Sequence, residues 1–97
     1  MTNDEKKAKI AELITKFRDE QFISQESLAD SFNYVITEKL KIDSKISKST
    51  ISQWERQVFM PDKIMIAAIA ATADQGTPIK KLADDLRSTL NGLTWQE

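Results

Sequence analysis

No glycine or proline occurs before Pro61, and the whole chain of 97 residues holds only two of each. These residues interrupt regular structure more sharply than any others. Where they are missing, the spacing of apolar side chains decides what the backbone can do. Here that spacing is helical. Ile10, Leu13, Ile14 and Phe17 fall at i, i+3, i+4 and i+7. Leu28, Phe32, Val35, Ile36 and Leu40 repeat the pattern, as do Ile79, Leu82, Ala83, Leu86 and Leu90. Each set makes one stripe along a helix. The fold class is therefore all-α, and 97 residues with 40% hydrophobic content bury one modest core, which predicts one domain over residues 1–97.

Capping residues divide the chain into five helices. Thr2 with Glu5 fits a capping box at the first, and Ser24, with Ile23 and Leu28 as a hydrophobic staple, opens the second. That second helix is long and fades in "KIDSK". A short third helix starts at Ser47, with Ile46 and Ile51 as its staple, and stops before Pro61. Asp62 caps "KIMIAAIAATA", which is apolar almost all round and so is expected at the centre of the core. Thr77 followed by Pro78 opens a C-terminal helix over about 77–91, ending near Asn91 and Gly92.

With no cysteine and no histidine, the chain has no disulfide framework, no thiolate or histidine-dependent nucleophile, and none of the usual transition-metal ligands. Asp84 and Asp85 are adjacent, but consecutive helical residues diverge by about 100°, so they read as a solvated face. No enzyme, cofactor or metal is expected. The opening "MTNDEKKAKI" lacks the apolar run of a signal peptide, and no stretch is apolar for long enough to span a membrane; a cytoplasmic protein is expected.

The net charge of −1 conceals an uneven distribution. Residues 1–38 balance to −3, whereas residues 39–63, with Lys39, Lys41, Lys45, Lys48, Arg56 and Lys63 against Asp43, Glu55 and Asp62, balance to +3. Positive charge gathers around the third helix, where a phosphate-facing surface would need it. With Ile51 and Trp54 turned inward on that helix, Lys48, Ser49, Ser52 and Gln53 face outward and Arg56 lies at the rim. A helix that reads DNA needs this division: apolar anchors behind, short polar side chains in front.

Residues from about 10 to 75 resemble the Xre-type, lambda-repressor-like (Cro-like) helix-turn-helix domains. The resemblance rests on Gln25, Leu28 and Ala29, then Ser47, Thr50, Ile51, Ser52, Trp54 and Glu55, then Pro61. The stretch "NYVITEKLKIDSK" sets the second and third helices further apart than is usual in the family. Certain temperate-phage repressors of Gram-positive hosts look similar, with a lengthened second helix followed by a Ser-Lys-Ser-Thr motif. The usual glycines after the second helix and after the glutamate are missing; Arg56, Gln57 and Val58 follow Glu55.

The resemblance implies a five-helix lambda-repressor-like domain with an extended second helix and a C-terminal helix. It implies that the helix from Ser47 enters the major groove, with Lys48, Ser49, Ser52 and Gln53 at base edges and Gln25 and Arg56 on phosphates. It also implies a pairing of Arg18 with Glu55, either as a buried ion pair or as an ordinary surface one. Lys39, Lys41 and Lys45 are read as further phosphate contacts, with a solvated loop as the alternative. Leu86, Leu90, Leu93 and Trp95 are read as a homodimer contact, with packing on the first helix as the alternative. The expected function is a sequence-specific DNA-binding transcriptional repressor of a phage or mobile element, acting on a double-stranded, possibly palindromic operator. The alternative is an antitoxin- or antirepressor-like module that uses the same fold to hold a protein partner through its acidic first helix and C-terminal stripe.

Overall fold

The computed structural model describes residues 2–92. Its five α-helices are α1 (Asn3–Gln21), α2 (Gln25–Tyr34), α3 (Lys48–Glu55), α4 (Lys63–Thr72) and α5 (Pro78–Leu90), and no strand occurs among the described residues. Every helix start is closed by the polar side chain that the sequence offers there. Thr2 accepts from the Glu5 amide while Glu5 accepts from the Thr2 amide, completing the capping box. Ser24, Ser47, Asp62 and Thr77 each accept from an amide two or three residues ahead.

The second helix does lengthen, but not as an α-helix. After Tyr34 the chain widens into a π-helical turn, Val35–Lys39, closed by the Leu40 amide donating to the Val35 carbonyl at 3.0 Å. Within it Val35 and Ile36 are buried while Thr37, Glu38 and Lys39 stay outside. Apolar spacing alone does not separate a π turn from an α turn, which is why the stripe through Leu40 reads as one continuous helix.

One hydrophobic cluster joins all five helices. Ile10 and Ile14 of α1, Leu28 and Phe32 of α2, Ile51 and Trp54 of α3, Ile66 and Ile69 of α4, and Leu82, Leu86 and Leu90 of α5 belong to it. α5 packs on α4 and α1, α3 packs on α1 and α2, and the π turn touches α4. The Phe32 and Trp54 rings meet edge to face, with centroids 6.1 Å apart and planes at 77°, fastening α3 to α2.

Two expectations are corrected here. α4 is not buried all round: Ile66, Ile69 and Ala70 face the core, whereas Ile64, one position past its first residue, is 81% exposed. A near-continuous apolar run does not say how many of its faces find a neighbour, and α4 finds neighbours on one side. Leu86 and Leu90, read as a homodimer contact, lie inside the cluster and offer no surface to a second copy. Leu93 and Trp95, the rest of that reading, lie outside the described residues.

Candidate nucleic-acid interface

α3 is mounted from both ends. At its C-terminal end, Glu55 receives two hydrogen bonds from Arg18 of α1, from Nε at 2.6 Å and Nη2 at 2.9 Å, and a third from Gln25 Nε2 of α2 at 3.0 Å. Arg18 Nη1 also donates to the Ile23 carbonyl at 3.3 Å. The two charged side chains are 22% and 12% exposed, so the pair is largely shielded. The Glu55 hydrogen bonds raise the Arg18 pKa above its ordinary value, further fixing a charge that is already permanent in water. One carboxylate thus ties three helices together, and the fork of the guanidinium fixes its orientation.

The backbone then turns away sharply. Gln57 takes a left-handed conformation (φ 63), with its amide donating to the Trp54 carbonyl and the Val58 amide to the Gln53 carbonyl. This is the double closure usually made with glycine at the left-handed position. The same arrangement ends α1, where Phe22 (φ 55) and Ile23 donate to Asp19 and Arg18.

At the other end of α3, the loop arriving from α2 is held by a side chain that spacing does not reveal. Asn33 of α2 grips both backbone groups of Ile46: its Nδ2 donates to the Ile46 carbonyl at 2.8 Å, and the Ile46 amide donates to its Oδ1 at 2.7 Å. Ser47 caps α3 at the next residue, accepting from the Thr50 amide at 3.1 Å. The only local cue was an asparagine inside a helical stretch, where that residue is an indifferent helix former. Nothing in the sequence links it to position 46.

Between these mounts, Ile51 is fully buried and Trp54 is 5% exposed. On the opposite side Lys48 and Ser49 are exposed, whereas Ser52 and Gln53 are half-buried. Ser52 Oγ accepts from Arg56 Nε at 3.2 Å, and Gln53 lines a cleft of about 340 Å³ together with Thr50, Trp54, Phe59 and Met60. The open part of the helix is therefore its first turn.

The basic loop residues divide. Lys41 and Lys45 are exposed, and Lys41 takes a left-handed backbone (φ 56). Lys39 instead pairs with Asp74, before α5, at 3.1 Å, and that partner raises its pKa. Gln25 likewise spends a donor on Glu55. Asp84 and Asp85 pair with Lys80 and Lys81 at 3.0 and 3.1 Å, the ordinary i, i+4 pairs of a helix surface. No cluster of metal-ligating side chains occurs among the described residues, and no helix there is long and apolar enough to cross a membrane.

Comparison with protein families, with curated proteins and with solved structures gives no significant match.

Proposed function

We propose that this protein is a sequence-specific DNA-binding transcriptional regulator of the lambda-repressor-like helix-turn-helix type, a repressor of a phage or mobile element, and that α3 enters the major groove. The observation that carries the reading is the two-sidedness of α3. Ile51 and Trp54 are sunk in the core, while Lys48 and Ser49 stand in the open on the first turn, the part of a recognition helix that reaches base edges. Exposed Lys41 and Lys45 lie on the loop leading into that turn, placing positive charge beside the groove-facing surface. Lysine suits guanine O6 or N7. Gln53, further along the helix, can pair with adenine once its side chain swings out of the cleft that it lines.

The test begins by selecting duplexes from a random pool and then measures equilibrium binding to the winner and to a random duplex across ionic strength. Gln53→Ala should weaken the selected duplex by about 1–3 kcal/mol and leave the random one nearly unchanged. Lys41→Ala should weaken both alike and reduce the salt slope by about one. Equal losses on both duplexes for both variants would remove the division between reading and anchoring; failure to enrich any duplex would remove the reading itself.

A second reading, an antitoxin- or antirepressor-like module, draws on a different observation. Val58 and Phe59 after α3 and Ile64 on α4 are 43%, 57% and 81% exposed. Large apolar side chains grouped along one short segment suit a protein partner better than a phosphate backbone. Such binding would change little with salt, whereas counterion release makes DNA binding fall steeply.

A further inference from the structure

We infer that Asn33 is a positioning residue for the groove-facing turn of α3, converting the long loop that precedes that helix into a fixed mount. The inference rests on the DNA-binding reading above and adds to it the residue that sets the geometry of the reading surface. α2 and α3 are joined by the π turn and an exposed stretch, residues 41–45, none of which belongs to the hydrophobic cluster. A loop of that length closes at little entropic cost but leaves its far end free to wander unless something holds it. Ile42 is tied to the Ile36 carbonyl at 3.1 Å, near the beginning of the loop. The end of the loop is held by the Asn33 amide, which uses its donor and its acceptor on the same residue, Ile46, at 2.8 and 2.7 Å.

The consequence falls on the next three residues. Ile46 is partly buried against the core, Ser47 caps α3, and Lys48 and Ser49 are the exposed residues of the first turn. Two bonds from one planar group hold the peptide units on both sides of Ile46, which a single bond would not do. Base readout tolerates displacements of only a fraction of an ångström in its donors and acceptors. Ion-pair anchoring by lysines tolerates far more, because Coulomb attraction changes slowly with distance. Loss of the Asn33 grip should therefore degrade discrimination between sequences more than it degrades general affinity for duplex.

The experiment compares Asn33→Ala and Asn33→Asp with the parent protein, at a temperature where melting curves show each to be fully folded. Asn33→Asp keeps the shape and the acceptor for the Ile46 amide but turns a carboxylate oxygen toward the Ile46 carbonyl, so it opposes that bond without opening a cavity; its added negative charge weakens binding to both duplexes alike and leaves their ratio as the readout. Two quantities are read: hydrogen exchange at the Thr50 and Ile51 amides, which donate to Ser47 and so report whether the start of α3 stays in place, and the ratio of affinities for the selected and random duplexes. The expected result is faster exchange at Thr50 and Ile51 together with a loss of about tenfold in the ratio, from the removal of one to two hydrogen bonds' worth of placement, while the random-duplex affinity of Asn33→Ala stays within about twofold. An unchanged ratio alongside accelerated exchange would overturn the positioning role while leaving the DNA reading intact, with Gln53→Ala as the control that the ratio can move. Unchanged exchange would show that Asn33 does not hold the loop. If the parent protein enriches no duplex, the DNA reading falls first and the assignment of Asn33 falls with it.

Discussion

Phe22, Lys41 and Gln57 each place a side chain on a left-handed backbone, at φ 55, 56 and 63. For residues other than glycine this conformation costs about 1–2 kcal/mol, against which glycine carries a chain-entropy cost of about 0.5–1 kcal/mol. Gln57 is exposed and no side-chain hydrogen bond holds it, so Gln57→Gly should stabilise the fold by up to about 1 kcal/mol, read as a rise in the urea midpoint at constant slope. The turn between Glu20 and Ser24 was legible from the cap that follows it, but the left-handed closures at Phe22 and Gln57 were not. A helix end is normally announced by glycine, and here the backbone takes the glycine conformation without the glycine. The Asn33 grip on Ile46 was illegible for another reason: thirteen positions separate the two residues, and no periodic pattern relates them. By contrast, Arg18 and Glu55 are both charged residues next to apolar positions on their own helices, so the need for partners is visible even before their geometry is known.

Helix beginnings were legible because capping is local. A hydroxyl or carboxylate within three residues of the amide it serves needs no tertiary information, and all five N-caps stand where the residue types place them. The π turn was not, since apolar spacing through Val35, Ile36 and Leu40 is the same for an α turn and a π turn. α1 carries a pH-sensitive cap. The Glu5 carboxylate accepts from the Thr2 amide at 2.7 Å, and that backbone bond holds its pKa below the ordinary 4.5. A carboxylate with a lowered folded pKa contributes stability that is complete above its unfolded value and is lost as pH falls through the folded one. The first turn of α1 should therefore fray in acid, below about pH 4.5. Protection of the Glu5 and Lys6 amides, measured against their intrinsic exchange rate at each pH, should fall there, and Glu5→Gln, which retains a capping acceptor, should flatten that response.

At the scale of the whole molecule the decisive fact is the inward turn of the C-terminal stripe. Leu86 is fully buried and Leu90 is 6% exposed, both in the cluster that α1, α4 and α5 share. Leu86→Ala should cost about 2–5 kcal/mol, as expected for truncating a sealed core residue. The check is a denaturant titration repeated over a hundredfold range of protein concentration: the loss should not depend on concentration, whereas a residue lying between two copies would make it do so. The helical stripe itself was readable from spacing, but whether it met its own chain or another was not, because burial within a fold and burial between folds select the same side chains.

Lys6, at the close of the first turn of α1, donates to the Leu90 carbonyl at 3.3 Å, and its Cε lies 3.6 Å from where a β-carbon on Gly92 would stand. That amine adds a polar fastening to the apolar packing between α1 and α5, and brings the two ends of the described polypeptide together. Lys6→Met would therefore loosen both ends of the described bundle at once, since one amine serves the start of α1 and the close of α5.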